Sequence, residues 1–144
     1  MRQNGGMIDV EEGRRCVQLM VLAAWADGHV EGTEAIAIQK LVQGLPELSG
    51  VGPISEIARE TRQLLQDQGM EACLVGAASA IRGRPMKELA FQCCARVSGS
   101  DSVFAIEEED FLRKLQGLFE FSNDDMRRLL VLAAPGMHGG PPVR

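Results

Sequence analysis

Asp27, Glu31 and Glu34 crowd one short stretch, Ala-Asp-Gly-His-Val-Glu-Gly-Thr-Glu over residues 26–34, between two strongly apolar segments. Hard cations such as Ca2+ and Mg2+ take oxygen ligands from carboxylates, carbonyls and water. A helix–turn–helix elbow gathers such oxygens: Asp27 leaves the end of one helix, Glu31 lies in the turn and Glu34 opens the next. The expected ion is Ca2+ or Mg2+ in preference to Zn2+, although His29 adds a nitrogen suited to a transition metal. The stretch is not an EF-hand, because the D-x-[DN]-x-[DN]-G run with its later Glu is absent. A metal-free account competes with the ion. Carboxylates near a helix N-terminus are favoured by its dipole and unpaired N–H groups, by about 0.3–1 kcal/mol each, so Asp27 and Glu34 would sit here as caps.

A second acidic stretch follows the same plan. An ungapped shift of 73 residues lays residues 16–49 over residues 89–122. Val30 then meets Val103, Glu34 meets Glu107, Ile38 meets Phe111 and Val42 meets Leu115. Gln43-Gly44-Leu45 meets Gln116-Gly117-Leu118, and Glu47-Leu48-Ser49 meets Glu120-Phe121-Ser122. The second elbow offers Asp101 and Glu107 as further ligand candidates, with Glu108, Glu109 and Asp110 beside them. A period this long, occurring only twice, indicates a duplication and not a solenoid.

Ala26-Asp27-Gly28, with Glu34 seven residues beyond Asp27, resembles the tellurite-resistance TerB-like domain. That domain also forms part of DnaJ-like co-chaperones anchored to membranes. The resemblance covers roughly residues 10–133. It implies a helical fold, a divalent ion held by acidic residues at such elbows, and a protein partner associated with the membrane in stress response. Asp27 and Glu34 match the motif directly. The second elbow departs from it, reading Ser100-Asp101 where the first reads Asp27-Gly28, so Asp101 is displaced by one residue. One complete elbow supplies few protein ligands, so any ion is expected to be hydrated and weakly held.

Catalysis finds little support. A hydrolase needs a nucleophile, a base and an oxyanion hole in mutual reach. Of two histidines, His138 lies in the Gly/Pro-rich stretch 135–144, leaving His29 alone in an ordered context. No GxSxG, HExxH, P-loop or dinucleotide fingerprint is present. The expected function is a non-catalytic binding or adaptor domain that takes a divalent ion and engages a protein partner. The alternative is a metal-dependent hydrolytic or transfer enzyme using Asp27, His29 and Glu34, and a third reading is a co-chaperone adaptor with no ion.

Bulk properties narrow the partners. A net charge of −5 disfavours nucleic acid, which requires clustered Lys and Arg. The longest apolar run, Leu19 to Ala26, is far short of the roughly 20 residues of a membrane span. Residues 1–6 lack the apolar stretch of a signal peptide. A soluble, cytoplasmic protein is expected, without direct membrane insertion. Cys16, Cys73, Cys93 and Cys94 show no CxxC or Cys/His ligand spacing and fall on or beside apolar stripes. Buried, reduced thiols are expected; Cys93-Cys94 as a redox element is disfavoured because adjacent helical side chains diverge by about 100°.

The elements that must position these residues are helical throughout. With 45% hydrophobic residues, 4% aromatics and no Tyr, the core is aliphatic, Met and Ala. The expected organisation is an N-terminal tail (1–8), one all-α domain (9–134) and a Gly/Pro-rich C-terminal tail (135–144). Seven helices are expected in a compact bundle of two related hairpins. The first runs from about Asp9 to Ala26, apolar nearly all round from Cys16 and therefore central. The second spans about Thr33 to Leu45. Pro53 and Pro85 suit the first turns of the third and fifth, and a fourth carries Met70 to Ile81. The sixth starts near Ala105, and a Ser122/Asp125 capping box starts the seventh. Ile36, Phe91 and Val131 fall off the core stripes: they either pack in a crowded bundle or form a patch for a partner or a homodimer. Trp25 is expected to be core, with a role as partner anchor the alternative.

Overall fold

The computed structural model describes residues 10–26, 33–98 and 110–133, apart from the side chains of residues 33–35, 37 and 130–133. The expected tails, both elbow turns and the expected start of the sixth helix at Ala105 lie outside the described residues. The described chain forms α1 (Val10–Ala26), α2 (Thr33–Gln43), a single 3-10 turn (Pro46–Leu48) and α3 (Ile54–Gln68). It continues with α4 (Met70–Ser79), α5 (Arg84–Ser98), α6 (Asp110–Phe119) and α7 (Asn123–Ala133). No strand occurs among the described residues, and the fold is an all-α bundle.

The bundle is organised around α1. Every residue from Cys16 to Ala24 is buried, so this helix has no solvent face along that stretch. Its most extensive partner is α5, with α3 and α4 also packed against it. α5 offers small residues there: Ala90, Cys93, Cys94 and Ala95 are all at most 2% exposed. Small side chains let two backbones approach closely and fill the gap by dispersion contacts.

α1 and α5 are also the helices that the 73-residue shift superposes, and equivalent positions share burial. Val17 and Ala90, Met20 and Cys93, Val21 and Cys94, Ile38 and Phe111, and Leu48 and Phe121 are all core pairs. The two copies part at one residue. Pro46 stands where the second copy has Phe119. Proline donates no N–H and crowds the preceding turn, so α2 stops at Gln43, short of the expected Leu45, and its end tightens through Gly44 N–H to Leu41 O and Leu45 N–H to Val42 O. α6 runs on to Phe119 and closes with a Schellman motif: Phe121 N–H donates to Gln116 O at 3.0 Å and Glu120 N–H to Gly117 O at 3.2 Å. Leu48 and Phe121 then turn back into the core.

Gly13 marks a close approach. A Cβ there would sit 2.9 Å from Val51 Cγ1, because the α2–α3 connection lies directly on α1. Arg14 fastens the same connection by donating to Val51 O at 2.8 Å.

α7 is secured by its cap and by charge. Ser122 and Asp125 form the expected capping box, with Ser122 N–H to Asp125 Oδ2 at 2.9 Å and Asp125 N–H to Ser122 Oγ at 3.0 Å. Asp125 also pairs with Arg84 at 3.1 Å, and Glu88 pairs with both Arg84 and Arg128 at 3.1 Å. The Arg84 guanidinium lies 4.9 Å over the Phe121 ring, which meets Phe91 edge-on at 5.7 Å. The Ser122 backbone N–H, then Arg84, hold the Asp125 carboxyl down at about 2. Glu88 is likewise lowered, first by Arg128.

Two expectations follow. Glu120 is the one non-glycine residue with positive φ among those described, at 61°. A left-handed conformation costs an L-residue about 1–2 kcal/mol, against about 0.4–1 kcal/mol of extra unfolded-state entropy for glycine. Glu120→Gly is therefore expected to stabilise the fold by up to about 1 kcal/mol, read by urea denaturation. Asp125 has a depressed folded pKa, so its contribution is present above the unfolded carboxylate value near 4 and is lost as pH falls towards about 2. Thermal melts across that window are expected to fall more steeply for the wild type than for Asp125→Asn.

Candidate functional site

Neither elbow turn is among the described residues: Asp27, His29, Glu31, Asp101 and Glu107 all fall outside them. Glu34 lies in the first turn of α2, with its side chain outside the description. What the structure does place are the helix ends from which the two turns depart. Ala26, the last residue of α1 and the neighbour of Asp27, lines a cavity of about 200 Å3. Asp110, the first residue of α6 and the next after Glu107-Glu108-Glu109, lines the same cavity. The first turn of α4 closes it with Met70, Glu71 and Leu74, and Phe111 and Lys114 of α6 complete it.

This brings Ala26 and Asp110, the described residues that border the two acidic stretches, to one end of the bundle, a result that sequence spacing alone does not dictate. It follows from packing, because α4 rests against both α1 and α6. The cavity wall is mostly apolar, with its charges at the rim.

Those charges are already partly neutralised. Lys114 Nζ lies 2.8 Å from Glu71 Oε1 and 3.9 Å from Asp110 Oδ2. The Glu71 hydrogen bond, then its charge, raises the Lys114 pKa. Among the described residues, no group of three or more His, Cys, Asp or Glu side chains is placed to hold a metal ion. Asp110, expected beside the second elbow, is thus held by an ammonium group within its own helix. Sequence reasoning passed over Lys114 and Glu71. The i, i+4 spacing of Asp110 and Lys114 was a legible signal, but Glu71 lies 43 positions from Lys114 and only packing brings it there.

The cysteines are buried free thiols, as expected. Cys16 of α1 meets Cys93 of α5 across the central helix pair, and this hydrogen bond and then burial push its pKa up. Burial pushes Cys94 up as well. Cys16 and Cys94 stay protonated at neutral pH, and a thiol is a far weaker nucleophile than a thiolate.

The residues off the core stripes separate cleanly. Phe91 is fully buried, packed under Phe121 as part of the crowded bundle. Ile36 on α2 is 58% exposed. The Val131 side chain lies outside the description. Trp25 is half-buried against the core, and its indole N–H is shielded from water with no partner among the described residues. No helix among the described residues is long and apolar enough to cross a membrane.

A family model described as tellurite resistance protein TerB matches residues 14–131, most of the 144-residue chain. The chain belongs to the TerB family. No curated protein matches it, and neither does any solved structure. The matched span begins within α1 and ends within α7, so all seven described helices contribute to the TerB domain. The elbow with Asp27 and Glu34 and the elbow with Asp101 and Glu107 both fall inside it.

The Lys114 bridge is exposed, so its attraction is screened by salt. Lys114→Gln is expected to melt below the wild type at low ionic strength, with the gap closing towards 1 M NaCl. Melting curves over a salt series check this.

Proposed function

We propose that this TerB domain is a non-catalytic cation-binding adaptor, acting in the cytoplasm in stress response. It takes a hydrated Ca2+ or Mg2+ at the end of the bundle from which both acidic elbows depart. One observation carries the reading. Ala26 and Asp110, the described residues that border the two elbows, line a single cavity. Along the chain Asp27 adjoins Ala26 and Glu107 stands three residues before Asp110, which supports a shared ligand set of Asp27, Glu31 and Glu34 from the first elbow with Asp101 and Glu107 from the second. Hard cations need more oxygen ligands than one short elbow supplies, and water fills the remainder. An ion here would stitch α1, α2 and α6 together and so report its binding through the packing of the bundle.

The adaptor half of the proposal rests on the surface of α2. Ile36 is 58% exposed on α2, two residues beyond Glu34. This apolar side chain next to the ion-linked helix start is the contact for a membrane-associated protein partner, or else for a second copy. The catalytic alternative would need His29 with Asp27 and Glu34 as a working constellation, and the sequence carries no catalytic motif that supports it.

Titration with Ca2+, Mg2+, Mn2+ and Zn2+, read by calorimetry and melting temperature, tests the ion. The expected outcome is a rise in melting temperature with Ca2+ or Mg2+, about 2.7 kcal/mol of stabilisation when the ion stands at a hundred times its Kd. Asp27→Asn/Glu34→Gln is expected to abolish the rise while still folding, and Asp101→Asn/Glu107→Gln to weaken it. No heat and no shift with any of the four ions would sink the reading. If the first double variant melts markedly lower without any ion, helix capping is the correct account of Asp27 and Glu34.

A further inference from the structure

A second cleft, of about 220 Å3, lies between α1, α3 and α4. Its composition is unlike that of a packing gap. Among the described residues only two polar side chains are buried, Gln18 at 7% and Thr61 at 1% exposed, and both line this cleft. Buried polar groups are costly unless hydrogen-bonded, so finding both on one wall marks a place where polarity is concentrated.

The donor and acceptor pattern is asymmetric. Thr61 Oγ1 spends its hydrogen on Ile57 O at 2.7 Å. Gln18 Oε1 accepts from Arg15 Nη1 at 2.8 Å, which turns the amide nitrogen of Gln18 into the free end of that side chain. Arg15 stands at the mouth, where Nη2 also meets Glu11 Oε2 at 2.6 Å. A guanidinium has five N–H donors, so these two bonds leave others for a ligand. No acidic side chain lines the cleft, and the Cys73 thiol in its wall is held protonated by burial and then by the Asp67 carboxylate. Donors and positive charge therefore collect at one end.

The rest of the lining carries no charge. Leu22, Leu64 and Ala77 form its apolar wall beside the Gln68 amide, and Ala72 and Gly76 of α4, with Ala80 just past the helix end, keep that side low. A Cβ added at Gly76 would meet nothing within 4 Å. For scale, an apolar cavity of about 150 Å3 takes one benzene molecule. A chain of roughly four to eight carbons is thus the right size.

We propose that this cleft binds a small aliphatic monocarboxylate. Its carboxylate pairs with Arg15 and the Gln18 amide, displacing the exposed Glu11, and its tail lies along Leu22, Leu64 and Ala77. Arginine recognises carboxylates in a planar, bidentate manner, and the apolar wall supplies the remaining affinity by removing the tail from water. The site is at a different place from the acidic end of the bundle and needs no metal ion.

Calorimetric titration of the full chain with hexanoate in EDTA-containing buffer tests it, with hexanol as the neutral probe of equal chain length. Gly76→Leu fills the cleft while replacing a helical glycine with a better helix former, so folding is retained or strengthened. Arg15→Gln removes the cation. The expected result is saturable hexanoate binding, weakened at least about tenfold by either variant, with hexanol at least about tenfold weaker than hexanoate. Absence of saturation by roughly 10 mM hexanoate, unchanged affinity in either variant, or equal binding of hexanol would each overturn the proposal. Melting curves of both variants establish that loss of binding is not loss of fold.

Discussion

The close packing of α1 on α5 is the contact on which the rest of this TerB domain depends. A helix with every residue from Cys16 to Ala24 buried has no face to give to water, so neighbours must surround it. The small residues of α5 make the central contact tight, and α3 and α4 cover other parts of the same helix. Dispersion is short-ranged, so this arrangement tolerates little displacement. Gly13 shows how little, since the chain after α2 passes where a single extra carbon would collide with Val51.

From that pair, the positions of the charged ends follow. α1 and α5 each precede an acidic stretch of sequence, and α4 lies against α1 and α6 alike. Glu71, Asp110 and Lys114 meet at that junction for this reason. The far helix, α7, touches chiefly α5 and is held by the Ser122–Asp125 cap, by Arg84 and Arg128, and by Phe121 beneath the Arg84 guanidinium. Hydrophobic packing sets the centre of the molecule, while directional polar contacts fasten its last helix.

Much of this was legible along the chain because its causes are local. The all-round apolar run from Cys16 announced a central helix. The Ser122 and Asp125 spacing announced a cap that the hydrogen bonds realise on both sides. Phe91 was less legible. A 3.6-residue stripe assumes one buried face, but α5 is enclosed by α1, α6 and α7, so its buried arc is wider than one stripe and takes Phe91 in. At the candidate cation end, Asp110 was visible as part of an acidic run. Its pairing with Lys114 and the approach of Glu71 depend on contacts between distant segments.

By itself, the sequence determined the helical class, the central place of α1 and the cap that starts α7; it also held the cause of α2's earlier stop, Pro46, though the helical pattern ran on to Leu45. Periodicity, proline chemistry and capping all act within a few residues. Tertiary structure alone decided that Ala26 and Asp110 border one cavity, that Cys16 faces Cys93, and that Gln18 and Thr61 share a cleft with Arg15. Each of these juxtapositions joins residues far apart along the chain. Which distant side chains meet is set by how helices of given bulk fit together, and no local pattern encodes that.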